Sequence, residues 1–262
     1  MGGRVKVGPY ETGRVYVGDS LELMRAIPDG SVPMIWTDPP YGHANNDGDL
    51  AAARVGVDGA RQAPAIAIAN DKPEDYEPLI RGFLAESARV MRLDSCCCCC
   101  CCGGGGPTPT FARLSSWMDE ALSFFRAVVW DKSGAGDGLG WRYRRNYEFV
   151  MVAHRRGGKL AWNPTAGAVA NIARVTPPRE RSHPNQKPIK LVRWFIENHT
   201  EPGDLVIDPF AGSGTTGVAA VQAGREFLGF ELDPAWAEVA NVRIAAARPL
   251  GQTELFPAEV PK

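Results

Sequence analysis

The sequence predicts an α/β protein, a mostly parallel sheet with helices on both faces. Apolar runs of strand length alternate with stretches of helical period, the pattern of strand–helix–strand units. One apolar run, Val32 to Trp36, ends in Thr37-Asp38-Pro39-Pro40-Tyr41-Gly42, where neither proline can continue a hydrogen-bonded ladder. A second, Asp204 to Asp208, runs into Phe210-Ala211-Gly212-Ser213-Gly214-Thr215-Thr216 and then a helix. Both sequences put polar residues at the C-terminal edge of a strand, where open α/β sheets bind ligands.

In chain order, Arg14 to Val17 reads as a short strand ending at Gly18-Asp19, and Ser20 caps a helix to about Ala26. The strand 32–37 follows. Residues 43–72 are rich in Ala, Gly, Asp and Asn without periodicity, which suits a mobile loop beside the first motif. Asp75 to Arg92 places Tyr76, Leu79, Ile80, Phe83, Leu84, Ala88 and Met91 at helical spacing. Phe111 to Leu122 reads as another helix, and Phe124 to Trp130 and Tyr147 to Ala153 as strands. Pro188 opens a helix bearing Leu191, Trp194 and Phe195 on one face. Gly217 to Ala223 is a helix, Glu226 to Phe230 a strand, and Pro234 to Ala247 the last helix before a Pro-containing tail.

All seven cysteines are consecutive, Cys96 to Cys102, and four glycines follow. Adjacent residues cannot all turn toward one ion, so no metal site is expected, and the run is no disulfide framework. Cysteine behaves as a small hydrophobe, so the run either forms a buried strand or marks a damaged stretch of sequence. No apolar run reaches membrane-span length and the start of the chain lacks a signal-peptide core, so a cytoplasmic protein without a membrane partner is expected.

The net charge is −1, but its distribution is uneven. Lys132 to Arg193 holds 13 Lys and Arg against 3 Asp and Glu, while the rest of the chain holds 16 against 27. A basic stretch in an acidic chain is the footprint of a phosphate-binding surface. Within it, Arg142, Arg144 and Arg145 interleave with Trp141 and Tyr143, and Arg155 and Arg156 follow the strand after them. Arginine serves phosphates and guanine edges, and aromatics stack on bases, so these five arginines are the candidate DNA contacts.

The chemistry of the two strand-end motifs is complementary. The Asp38 carboxylate and the Pro39 carbonyl can both accept from one amino group, Pro40 stiffens the turn, and Tyr41 offers a face for a planar base. In the second motif Gly212 and Gly214 let the backbone approach a ligand, and the helix N-terminus favours a carboxylate. Glu231 ends the next strand about 20 residues on, where an acid can hold ribose hydroxyls.

Together these motifs resemble the amino-group DNA methyltransferases, the adenine-N6 or cytosine-N4 enzymes that use S-adenosylmethionine. Having DPPY before DPFAGSGTT resembles the β group, a circular permutation of the usual order. The resemblance spans roughly residues 14 to 247. It implies a Rossmann-like methyltransferase fold in a single domain over 1–262, with the strands near 124–130 and 147–153 as its antiparallel edge hairpin. It makes Asp38, Pro39, Pro40 and Tyr41 catalytic. It gives the cofactor Asp208, Phe210, Gly212, Gly214, Thr215, Thr216 and Glu231. Asp19 either faces the cofactor's adenine or caps its helix. His183-Pro184-Asn185-Gln186-Lys187-Pro188 resembles the family's HPxQKP, where Lys187 either meets the methionine carboxylate or orients the loop. Residues 154–182 fall at the target-recognition insert, which is short here.

The implied reaction is methyl transfer to N6 of adenine in DNA, because DPPY is commonest in adenine enzymes; cytosine N4 is the alternative. A catalytically inactive DNA-binding relative is a further reading, and a Rossmann oxidoreductase would leave DPPY and the basic stretch unexplained. Protein or RNA methyltransferases usually carry Asn where Asp38 stands. A homodimer and a separate restriction endonuclease are the protein partners considered.

Overall fold

A computed structural model describes residues 5–40, 73–101, 110–132, 146–178 and 186–250. Among them a nine-stranded sheet runs in the order β3–β11–β10–β4–β5–β7–β6–β9, with β8 paired to β5. The strands are β3 (Arg14–Val17), β4 (Val32–Thr37), β5 (Met91–Cys101), β6 (Ser123–Asp131), β7 (Tyr147–His154), β8 (Lys159–Leu160), β9 (Ile172–Arg174), β10 (Leu205–Asp208) and β11 (Glu226–Glu231). A small antiparallel hairpin, β1 (Lys6–Val7) and β2 (Tyr10–Glu11), precedes them. Strands β3, β11, β10, β4 and β5 are parallel neighbours, and β7 runs antiparallel to both β5 and β6. The expected mostly parallel sheet with an antiparallel pair is therefore present.

Helices cover both faces, which is why the central strands carry apolar residues on each side. On one face lie α1 (Ser20–Met24), α2 (Pro73–Val90) and α3 (Thr110–Ala121). On the other lie α4 (Ile189–His199), α5 (Thr215–Gln222) and α6 (Pro234–Ala246). Trp36 of β4 is fully buried against Phe195 of α4, ring centres 4.7 Å apart. Burial of such a side chain contributes about 1.5–3 kcal/mol.

Cys96 to Cys101 form the C-terminal part of β5, lying between β4 and β7. Its alternation serves both cores: Cys96, Cys98 and Cys100 face α4, while Cys97 and Cys99 face α2 and α3. The run therefore packs as the strand that its small apolar side chains allow, with Cys96 to Cys100 wholly buried. Other expectations need adjustment. The α1 cap is Asp19 rather than Ser20, α2 ends at Val90 so that Met91 and Arg92 already belong to β5, and residues 160–182 contribute β9, a strand the sequence pattern missed. The mobile-loop reading of 43–72 lies outside the described residues.

Candidate active site

The C-terminal edge of the parallel strands brings the two motifs side by side. Following the strand order, β3 delivers Asp19, β11 delivers Glu231, β10 delivers Asp208 and the glycine turn, and β4 delivers Asp38. Pro39 is buried and Pro40 half-buried, so the backbone after Asp38 is fixed on the sheet. Tyr41 lies outside the described residues.

Asp208 joins the two halves. Its Oδ1 accepts from Thr37 Oγ1 at 2.8 Å and from the Phe210 amide at 3.1 Å, and its Oδ2 accepts from Thr216 Oγ1 at 2.5 Å. The carboxyl is buried. Burial raises its pKa to about 7, with the nearby Asp38 charge adding to the rise and the three hydrogen bonds opposing it. Asp208 and Thr216, read as cofactor contacts, are thus engaged with each other and with β4, and shape the turn. Thr215 is buried in the first turn of α5, and Phe210 packs edge-on to Phe83 of α2 at 5.7 Å.

The glycine turn is held from two sides. Glu231 Oε2 accepts from the Gly212 amide at 2.8 Å, and Oε1 accepts from the Asp233 amide at 3.0 Å. Burial raises the Glu231 pKa, and these amides oppose the rise. Arg243 of α6, which the sequence did not single out, donates to the carbonyl and hydroxyl of Ser213. Gly212 has φ +48°, and among the described residues a Cβ there would meet nothing within 4 Å, so they leave space above the turn. Gly214 has φ +77°, and its missing Cβ would lie 2.8 Å from Ala240 Cβ. Gly212 thus borders the space a ligand would use, whereas Gly214 lets α5 close onto α6. Asp19 accepts from the Leu21 and Glu22 amides at 2.9 and 3.1 Å, so the capping role is the one seen.

Lys187 bridges two carboxylates. Its Nζ lies 2.8 Å from Asp38 Oδ2 and 3.3 Å from Glu148 Oε2. Lys132, just past β6, meets the other oxygen of Glu148 at 2.6 Å and lies 5.0 Å above the Trp130 ring. Two carboxylates and two ammonium groups therefore form one charge-balanced network, with Lys187 and Glu148 both buried. Burial alone would push the Glu148 carboxyl up, but Lys187 and Lys132 outweigh it and hold it at about 2. Glu148 escaped the sequence reading. Its one signal is that it is the sole charge at the start of the otherwise apolar β7.

The arginines divide. Arg142, Arg144 and Arg145 lie outside the described residues. Arg155 and Arg156 are not brought to the site. They follow the end of β7, at the sheet edge opposite Asp38, because β7 runs antiparallel to β5. Arg155 donates to the Met91 carbonyl at 2.8 Å, and Arg156 donates to the Asp119 and Glu120 carbonyls at the end of α3. Both guanidinium groups thus tie the chain to backbone.

Cys96, Cys98 and His199 place their ligand atoms within 4.8 Å of one another, a convergence the sequence did not suggest. The two sulfurs are 3.2 Å apart. Two thiolates on one tetrahedral zinc would sit about 3.7 Å apart, from a Zn–S length of about 2.3 Å. His199 Nδ1 is bonded to the Ala161 carbonyl at 2.8 Å. The trio is buried in the core under α4.

Comparison with known proteins agrees with this geometry. The family model for DNA methylases of the N6/N4 group matches residues 32–242, so the chain belongs to that family. Among curated proteins it is 27% identical to YubD of Escherichia coli (strain K12) over 235 residues, covering 90% of this chain and 91% of that one. Among solved structures it resembles the PvuII DNA methyltransferase, described as cytosine-N4-specific, with TM-score 0.70, 19% identity, and 91% and 90% of the two chains covered. The M1.HpyAVI–SAM complex gives TM-score 0.64, 22% identity, and 88% and 98% coverage. The architecture is the Rossmann-like fold of S-adenosylmethionine-dependent methyltransferases, and the protein is a DNA methyltransferase of the amino-group type.

Proposed function

We propose that this protein transfers a methyl group from S-adenosylmethionine to N6 of adenine in DNA. The observation that carries the reading is the placement of Asp38, one strand from the glycine turn and clamped by Lys187. The residues present fit the cofactor: Glu231 offers a carboxylate beside Gly212, and the described residues leave space above that glycine. Bound there, the cofactor supplies an electrophilic methyl group.

The chain's own residues do the rest by orientation. An amine inside a duplex is out of reach, so the target nucleotide is flipped into the site. Asp38 and the Pro39 carbonyl accept from its amine and turn the nitrogen toward the cofactor side, while Tyr41 stacks on the base. Holding two reactants in line supplies much of the rate enhancement in such a site. Arg142, Arg144 and Arg145 bind the DNA backbone. Residues 154–182 serve as a short target-recognition insert in a single-domain enzyme.

Cytosine N4 is the second reading, favoured by the likeness to the PvuII enzyme. Expression in a host free of DNA methylation, followed by single-molecule sequencing, separates the two. N6-methyladenine at a fixed sequence is the expected outcome. N4-methylcytosine alone selects the second reading, and unmodified DNA despite expression of the folded protein overturns both.

A further inference from the structure

We propose that Glu148 is a positioning residue for methyl transfer, acting on Asp38 through Lys187; the inference rests on the reading of Asp38 given above. A lysine ammonium is a point charge on a flexible four-carbon stem with three donors, so one ion pair does not fix its direction. Here two carboxylates do. Asp38 Oδ2 takes one side at 2.8 Å and Glu148 Oε2 another at 3.3 Å.

Glu148 is itself rigidly placed. It lies in β7 opposite Trp130 of β6, and its neighbour Phe149 pairs with Cys101 of β5. Lys132 holds its second oxygen at 2.6 Å, so the carboxylate cannot swing away from Lys187. Among the described residues, the charged groups gathered near Asp38 include Lys187 from the segment before α4, Glu148 from β7, Lys132 beyond β6 and Asp208 from β10.

The arrangement matters because Asp38 has two tasks that compete. It must remain a carboxylate beside other acids, which a cation favours. It must also keep acceptor capacity for the substrate amine, which too tight an ion pair consumes. Sharing Lys187 between Asp38 and Glu148 meets both needs. Removing the Glu148 charge takes away the carboxylate that competes with Asp38 for Lys187. The carboxylate is then drawn onto Lys187 and away from the amine.

The test is steady-state kinetics on Glu148→Gln, Lys187→Met and the double variant, with melting temperature measured alongside. Glu148→Gln is expected to lower kcat by about tenfold or more while the KM values for cofactor and DNA stay within about threefold. Because Glu148 acts through Lys187, the double variant should be no slower than Lys187→Met alone. Full kcat in folded Glu148→Gln, or losses that multiply in the double variant, would overturn the role. If Glu148→Gln fails to fold, Glu148→Asp keeps the charge but sets it back by one methylene. It should lose kcat with KM held, and wild-type kcat there overturns the proposal equally. An inactive wild-type enzyme sinks the reading of the site itself, whereas an active wild type with an unimpaired variant sinks only the part given to Glu148.

Discussion

The Asp38 carboxylate and the Lys187 ammonium meet at 2.8 Å, although one follows β4 and the other precedes α4. This ion pair joins the DPPY half of the chain to the cofactor half. Asp38→Ala should therefore remove methyl transfer, by about 10²-fold or more, the scale of losing a positioned group at a reacting proton. Cofactor affinity should stay within a few-fold, because Glu231 and the glycine turn are untouched. Calorimetry beside a tritium-transfer assay checks both halves of this expectation. Near-normal turnover would remove Asp38 from catalysis.

Glu231 is expected to hold the cofactor. Glu231→Ala should weaken S-adenosylmethionine binding by about 1.5–3 kcal/mol, the worth of hydrogen bonds to a charged group. The Gly212 amide also loses its acceptor, so the turn should loosen. Unchanged affinity by calorimetry would restrict Glu231 to bracing the turn.

The two motif glycines should separate stability from binding. Gly214→Ala puts a methyl 2.8 Å from Ala240 Cβ in a left-handed backbone conformation, so overpacking and backbone costs together should destabilise the fold by about 2–5 kcal/mol. Gly212→Ala meets no neighbour among the described residues, so the backbone cost of about 1–2 kcal/mol is the one expected. Its larger effect should appear in cofactor affinity. Equal melting temperatures for the two variants would contradict this division.

How much of this was legible in the sequence follows from how local each signal is. Strands β4, β10 and β11 and the turn 208–216 are written in contiguous residues, so their type and edge could be read directly. The part played by Lys187 could not. HPxQKP fixes the loop, but the carboxylates that claim its ammonium come from β4 and β7, and sequence spacing does not report that meeting. Glu148 was hidden for the same reason. The surroundings of Arg155 and Arg156 were hidden too, because charge is local information, whereas the antiparallel run of β7 carries them to the far edge. The cysteine run was ambiguous in composition and became a strand only through burial on both faces.

Two buried acids should set opposite pH dependences of stability. Glu148 has its pKa lowered to about 2 from 4.5, so its contribution is present above pH 4.5 and is lost as pH falls toward 2. Asp208 has its pKa raised to about 7 from 3.8, so its protonated form stabilises the fold below pH 3.8, and that gain is lost as pH rises through 7. Asp208→Asn, which keeps an acceptor for Thr37 and Phe210, should flatten the decline between about pH 4 and 7. Urea unfolding across that range measures it. A slope unchanged from wild type would mean that Asp208 titrates normally.

The DNA surface should show in salt dependence. Replacing Arg142, Arg144 and Arg145 with alanine should flatten the plot of log affinity against log salt, by roughly one unit per lost phosphate contact. Replacing Arg155 and Arg156, whose guanidinium groups are tied to backbone, should leave that slope alone and lower the melting temperature instead. The reverse pattern would move the DNA surface to the opposite edge of the sheet.

Base choice, donor and catalytic carboxylate meet in one measurement. Unmethylated DNA is incubated with S-adenosylmethionine and either the wild-type protein or Asp38→Ala, then digested and its nucleosides read by mass spectrometry. N6-methyladenine from the wild type and none from the variant is the predicted result. N4-methylcytosine in place of N6-methyladenine, or equal methylation by the two proteins, would contradict it.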